Sequence, residues 1–247
     1  MTATIVVAPA KLTLSLRITG VRDDGYHLID AEMVTLSLAD ELVIDPLGFG
    51  LAVEGAAADV TAGPDNLVAK ALVLAGRTAG VTLRKRIPSG AGLGGGSADA
   101  AAVLRWAGWP LTGEGMAGAA RLGADVAFCL VGGRARVTGI GEHVESLPFA
   151  PIAGRKFTLV TPPMHVSTPA VYQAWDRLGG PTADGPNDLE PAALVVEPRL
   201  ARWRDRLGDA SGRVPILAGS GGTWFVDGAF AGDGHLIVTA ADPHARA

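Results

Sequence analysis

Along the first third of the chain, apolar residues alternate with polar ones at a period of two. The runs 4–8, 12–18, 31–38 and 41–45 are rich in Val, Ile, Leu and Thr and predict short strands. Asp23-Asp24-Gly25 marks a turn between two of them. From residue 67 the period changes. LVAKALVLAGRTAG, introduced by Pro64-Asp65-Asn66, spaces its apolar residues as a helix and closes on Gly76 and Gly80. A strand is predicted over 81–87. A helix follows over 97–108, with Ser97 as its N-cap and Asp99 in its first turn. A shorter helix covers 114–123, and the apolar stretch 126–140 predicts two strands around Gly132-Gly133. Beyond a Pro- and Gly-rich cluster at 148–154 come a strand over 157–161, a helix near 168–178 and a loop over 179–191. A helix near 198–207 and a strand pair around 216–226 complete the pattern.

This order predicts two α+β domains, 1–150 and 151–247, with a cleft between them. Composition adds exclusions. The chain is 48% hydrophobic and 19% charged, which is a globular balance. A net charge of −4 argues against a nucleic-acid partner, which selects a basic face. Cys129 is the only cysteine, so an intrachain disulfide and a cysteine-based metal cluster are both excluded. Its apolar neighbours predict a buried, inert thiol. No run reaches the roughly 18 apolar residues of a membrane span. Met1 leads straight into an alternating strand, without the basic start of a signal peptide. The expectation is a soluble cytoplasmic protein without a membrane partner, and no feature specifies an oligomeric state.

The chemistry concentrates in RKRIPSGAGLGGGSADAAAVLRW, residues 84–106. Gly90, Gly92 and Gly95 satisfy the spacing G-x-G-x-x-G, with Glu114 about 20 residues on. A dinucleotide-binding turn, however, follows a buried, continuously apolar strand, and LRKRI carries three consecutive charges. A Walker loop needs Gly-Lys-Ser or Gly-Lys-Thr, and no lysine follows these glycines. A flexible linker would not pass directly from a strand into an alanine-rich helix. The remaining reading is another glycine-rich phosphate cradle. In such a loop bare amides approach an anion closely, and the helix start that follows favours negative charge.

Pro88-x-x-x-Gly92-Leu93-Gly94-Gly95-Gly96-Ser97 resembles the nucleotide loop of the GHMP kinases. Within that superfamily the chain resembles most the 4-diphosphocytidyl-2-C-methyl-D-erythritol kinase family. The segments that carry the likeness are APAKLTLSLRITGVRDDGYHLID (8–30), DNLVAKA (65–71), GADVAF (123–128), GIGE (139–142), NDLEP (187–191) and GSGGTWF (219–225). The glycine loop is a superfamily signal; Ala-Lys-Leu together with Asp-Gly-Tyr-His is the more specific one. The resemblance implies a two-domain GHMP kinase fold, the first domain like the second domain of ribosomal protein S5 and the second ferredoxin-like. It also implies ATP and Mg²⁺ as cofactors and a small-molecule cytidine-diphosphate substrate, phosphorylated on its 2-hydroxyl in non-mevalonate isoprenoid precursor synthesis.

Carried onto this chain, the resemblance makes Asp125 the general base and Lys11 its cationic neighbour. Taken alone, Asp125 reads as a helix cap or turn residue and Lys11 as an outward strand residue. Tyr26 and Tyr172, the only two tyrosines, are implied on opposite faces of the cytosine, with His27 at its edge. Pro88, Gly90, Gly92, Leu93, Gly94, Gly95, Gly96 and Ser97 are implied around the ATP phosphates, Ser97 also as a Mg²⁺ ligand. Asn66 and Lys85 are implied on the adenine side. Gly219–Gly222 would either reach the phosphates or form a tight turn before a strand. Two positions depart from the pattern: Thr13 stands where the family usually has Asn, and Ala98 where many members have a second Ser. The chain is also somewhat short between NDLEP and GSGG. Two alternatives stay open: a GHMP kinase acting on another alcohol, and a non-catalytic nucleotide-binding relative.

Overall fold

The structure is a computed structural model that describes residues 2–55 and 60–243. Its first half is built on one long antiparallel hairpin of β1 (Thr4–Val21) and β2 (His27–Asp45), closed by the turn at Asp23–Gly25. The four short strands expected from the pattern are these two. Their interruptions are bulges in the pairing, between Pro9 and Lys11, Thr13 and Ser15, and Ile18 and Gly20, which bend a strand without ending it. β3 (Leu51–Gly55) runs parallel to β4 (Gly80–Lys85), with α1 (Leu67–Leu74) as the crossover. β5 (Arg134–Gly139) and β6 (His143–Ser146) complete a six-stranded sheet in the order β3-β4-β2-β5-β6, with β1 also paired to β2.

Helix α2 (Gly95–Trp106) packs against β1 and β2, and its residues Ala98 through Leu104 are all buried. The run of alanines fits that site, because small side chains let the helix axis approach its neighbours closely. Two expectations need correction here. Ser97 is not the N-cap. The helix begins two residues earlier, capped by Gly94 in a left-handed conformation (φ 67°) with no side-chain cap, so Ser97 lies inside the first turn. Residues 126–131 do not form a strand either; they are α4 (Val126–Val131), following α3 (Gly113–Leu122). A short apolar run carries no period of its own, and burial of Val126 through Leu130 is compatible with either element.

The second half is a four-stranded antiparallel sheet of β7 (Lys156–Val160), β8 (Ile216–Leu217), β9 (Trp224–Asp227) and β10 (His235–Thr239), in the order β10-β7-β9-β8. It carries α5 (Thr168–Arg177), α6 (Glu190–Val196) and α7 (Leu200–Ser211). Elements β3, β6, α6 and β10 are additional to those the pattern predicts. The two sheets meet across an apolar cluster in which Ala10, Leu12, Val34 and Leu36 join Phe157, Leu159, Phe225 and Val238. The segment after β10 then returns to β2: Ala241 donates its N–H to the Thr35 carbonyl at 2.9 Å. Among the described residues no helix is long and apolar enough to cross a membrane.

Buried charge braces the base of the glycine loop. Lys85 at the end of β4 places its ammonium 2.5 Å from Asp40 Oδ2 on β2 and 2.8 Å from Asp99 Oδ2 on α2. Asp40 Oδ1 accepts the N–H groups of Arg86 and Ile87, so this trio fixes the loop where it leaves the strand and where it enters the helix. Burial raises the Asp99 carboxyl to about 7, against the pull of the Lys85 ammonium. A carboxyl raised in the folded state holds a proton that the unfolded chain releases. Its contribution to stability is therefore largest near pH 4 and declines as pH rises towards about 7. Asp99→Asn is expected to flatten the dependence of unfolding free energy on pH between about 5 and 7, measured by urea denaturation across that range.

Candidate active site

Strand β1 alternates, and the alternation sorts its residues. Ala10 and Leu12 enter the apolar cluster between the sheets. Lys11 and Thr13 point the other way, yet both are buried, at 4% and 1% exposure. A lysine this deep requires partners for its charge. Lys11 Nζ lies 3.2 Å from Asp125 Oδ2 and donates to Thr13 Oγ1 at 3.0 Å. Asp125 occupies the N-cap position of α4, but its carboxylate caps nothing, which leaves it free for the ammonium. Thr13, expected at the substrate, accepts from Lys11.

The glycine loop lies directly over this pair. The Lys11 N–H donates to the Leu93 carbonyl at 3.0 Å, tying the loop to β1. A Cβ at Gly94 would fall 2.8 Å from Lys11 Cγ and 3.6 Å from Asp125 Oδ2. Gly90, Gly92 and Gly94 all have φ near +70°, a region closed to most side chains, so the loop needs glycine at every second position. The turn Gly219–Gly222 reaches the same place from the second half. A Cβ at Gly92 would fall 2.5 Å from the Gly221 carbonyl and 2.8 Å from that of Ala218. One at Gly219 would fall 3.5 Å from Lys11 Nζ. The two glycine segments thus pack backbone to backbone.

Two cavities are lined by neighbours of the pair, Gly94 in one and Gly123 with Ala124 in the other. One, of about 390 Å³, is lined by Pro88, residues 90–97, Asn66 and Lys85. All the residues selected for ATP therefore share one concave surface. Asn66 is also the N-cap of α1: its Oδ1 accepts from Val68 N at 2.9 Å, and its Nδ2 donates to the Thr61 carbonyl at 2.8 Å. Lys85 lies at the base, its ammonium held by Asp40 and Asp99.

The second cavity, of about 520 Å³, is lined by Tyr26, His27, Tyr172, Arg121, Gly123 and Asp176, among others. Tyr26 is 58% exposed at its rim. The His27 and Tyr172 rings lie 4.8 Å apart between centroids, tilted by 38°. Trp175 meets His27 edge-on at 5.5 Å. Asp176 Oδ1 sits 2.7 Å from His27 Nε2; a carboxylate accepts, so it holds the proton on that nitrogen and leaves Nδ1 as an acceptor. Burial, together with the Asp125 charge, raises the Tyr172 phenol to about 12, so it stays protonated. Burial also pushes the Cys129 thiol up to about 12, which makes it inert, as expected.

Asp176, Trp175 and Asp40 have no signal in the sequence, because their partners are remote along the chain; Asp99, expected in the first turn of its helix, lies beyond that turn because α2 begins at Gly95, and its carboxylate meets Lys85. Among the described residues no group of three or more His, Cys, Asp or Glu side chains is placed to hold a metal ion.

The model of the GHMP kinases N terminal domain matches residues 66–133, the span of the glycine loop and Asp125. The chain is 40% identical to a 4-diphosphocytidyl-2-C-methyl-D-erythritol kinase of Paracoccus denitrificans (strain Pd 1222), over 88% of this chain and 84% of that one. It is 38% identical to the protein of the same name from Ruegeria pomeroyi (strain ATCC 700808 / DSM 15171 / DSS-3), over 95% and 91%. The chain belongs to the 4-diphosphocytidyl-2-C-methyl-D-erythritol kinase family. A crystal structure of 4-(cytidine 5'-diphospho)-2C-methyl-D-erythritol kinase matches the fold with a TM-score of 0.71 at 35% identity, covering 90% of this chain and 89% of that one. The mevalonate kinase of Methanococcus jannaschii shares the fold alone, with a TM-score of 0.59 at 12% identity. The architecture is therefore the GHMP kinase fold, and the 4-diphosphocytidyl-2-C-methyl-D-erythritol kinase family supplies the frame for its loop.

The contact between the glycine segments has a measurable consequence. Gly92→Ala forces a side chain into a left-handed position already filled by two carbonyls. It is expected to destabilise the protein by about 1–3 kcal/mol, read from thermal unfolding, and to raise KM for ATP.

Proposed function

We propose that this chain transfers the γ-phosphoryl group of ATP to the 2-hydroxyl of 4-diphosphocytidyl-2-C-methyl-D-erythritol. The observation that carries the reading is the Lys11–Asp125 pair at 3.2 Å, set against Gly94, a residue that lines the cavity of the glycine loop. Residues 1–150 and 151–247 act as the two domains: the first lines the glycine-loop cavity, and both line the second cavity.

The reaction makes an oxygen–phosphorus bond to the acceptor and breaks the bond between the β,γ-bridging oxygen and the γ-phosphorus, releasing ADP. In this reading the acceptor hydroxyl loses its proton to Asp125. Lys11, pinned by Asp125 and Thr13, presents a fixed positive charge to the oxygen as it becomes anionic. Since Lys11 is nearly dry, that charge acts with little screening. The glycine loop brings amide N–H groups against the phosphates without intervening side chains. Mg²⁺, when bound with ATP, neutralises phosphate charge. The donor set suits an ion that arrives with the nucleotide, because the described residues include no carboxylate cage and Ser97 offers one hydroxyl at the cavity.

On the substrate side, Tyr26 and Tyr172 would stack on the cytosine and His27 Nδ1 would accept from its exocyclic amine. Stacking on an aromatic ring is worth roughly 1–3 kcal/mol per base. Arg121 at the same cavity suits the diphosphate.

Two substitutions separate these roles. Asp125→Asn should lower kcat by roughly 10²–10⁴-fold in a coupled ADP-release assay, with KM for either substrate nearly unchanged. Tyr172→Ala should raise KM for the cytidine substrate by roughly tenfold or more and leave KM for ATP alone. Turnover of a non-cytidylated alcohol that ignores Tyr172→Ala would assign the chain to another small-molecule kinase.

A further inference from the structure

The segment 186–188 contains two buried polar residues that the proposed chemistry does not use. Asn187 is 1% exposed and Asp188 2%. Asn187 spends its whole side chain internally. Its Nδ2 donates to the Leu217 carbonyl at 2.8 Å and to the Gly219 carbonyl at 2.7 Å, and its Oδ1 accepts from Leu189 N at 2.9 Å. Those two carbonyls bracket the entry to the turn Gly219–Gly222. Within the turn itself the backbone supplies little: Ala218 N to Thr223 O at 2.9 Å, and a long contact from Gly221 N to Ala218 O at 3.4 Å.

The same segment is sewn to β1. Leu16 N donates to the Pro186 carbonyl at 2.8 Å, and Asp188 N donates to the Leu16 carbonyl at 2.9 Å. The Asp188 carboxylate accepts from Ile18 N, from Ala183 N and from Arg17. Residues 186–188 therefore form a splint. One edge grips the strand that carries Lys11 and Thr13, and the Asn187 carboxamide grips the glycine turn that abuts Lys11 Nζ and the backbone of Gly92.

We infer that Asn187 is a positioning residue, which holds the Gly219–Gly222 turn in register with Lys11 and the phosphate loop. The inference rests on the function proposed above. Asn187 touches no reacting group, and it acts through the turn. A turn of three glycines and one serine with few internal hydrogen bonds has many alternative conformations. Ser220 is tied at its side chain to Thr168 Oγ1 at 2.7 Å, and the rigid Asn187 amide holds the main chain at the entry through two carbonyls; the loop at Gly90–Gly92 is steadied in consequence, because the two backbones are in contact. Displacement of a positioning element by about 1 Å can cost on the order of 10²-fold in rate.

The test compares Asn187→Asp with Asp188→Asn. The first keeps the size and the acceptor for Leu189 but removes both donors to the turn. The second weakens the splint on the β1 side without touching the turn. For Asn187→Asp the expected result is a kcat lower by roughly 10- to 100-fold, with KM for the cytidine substrate within about threefold of the unmodified protein. Asp188→Asn should lower Tm comparably and keep kcat within about threefold. Gly219→Ala perturbs the turn from within and should reproduce the kcat loss of Asn187→Asp even if that variant folds poorly. A separate readout needs no turnover: amide hydrogen exchange should accelerate over 218–222 and 90–94 in Asn187→Asp and stay unchanged there in Asp188→Asn. The inference is overturned if kcat follows Tm alike in both variants, if Gly219→Ala is fully active, or if exchange at the two glycine segments does not respond to Asn187→Asp. If the unmodified protein shows no phosphoryl transfer, the functional reading fails by itself, and the exchange result still decides the role of Asn187.

Discussion

A buried ammonium cannot stay charged without partners, and this molecule is arranged around that constraint. Lys11 is 4% exposed, in the middle of a strand packed on both faces. Its charge is met by a carboxylate from the start of a distant helix and by a hydroxyl two residues away on its own strand. Removing either partner would leave charge in a poorly solvated place, so the pair is held as a unit. Every other part of the site refers to it. The glycine loop is hydrogen-bonded to the Lys11 main chain, its Gly94 lies on the Lys11 side chain, and the second glycine turn comes up beside the Lys11 ammonium. An ion pair fixed in this way needs little reorganisation when charge moves beside it.

The second organising feature is contact between bare backbones. Two glycine segments, one from each half of the chain, meet at distances that exclude a side chain on either. Such closeness buries polar groups, and each must be satisfied or turned towards a ligand. On the second half, Asn187 takes up the carbonyls that frame the turn. On the first half, the Lys85–Asp40–Asp99 trio anchors both ends of the loop. Stiff supports beneath a glycine-rich surface resolve a general conflict: the residues that let a phosphate approach most closely are also the least able to hold a conformation by themselves.

Thr13 shows how a departure from a family pattern can be absorbed. Where an amide would reach further, the shorter hydroxyl turns to the ammonium and becomes part of its shell. The loss of a second hydroxyl at Ala98 is explained by packing, since that position is buried inside α2.

Local pattern by itself determined much of this protein. Alternation marked the strands of the first hairpin, the Asp-Asp-Gly turn closed it, and glycine spacing before an alanine-rich segment marked the glycine loop. Motif likeness then selected Lys11 and Asp125, which the fold brings together as an ion pair, and Tyr26, His27 and Tyr172, which line one cavity. Tertiary structure decided the rest. The apolar run at 126–131 became a helix because a short run has no period to oppose its surroundings, and Gly94 displaced Ser97 as the cap because the loop arrives in a left-handed conformation. The partners of the site, Asp40 and Asp99 under Lys85, Asp176 on His27 and Asn187 on the glycine turn, lie far from their contacts along the chain. A sequence records each residue's chemistry, but a hydrogen bond depends on which groups meet within about 3 Å, and for these pairs only the packing of the two sheets brings that about.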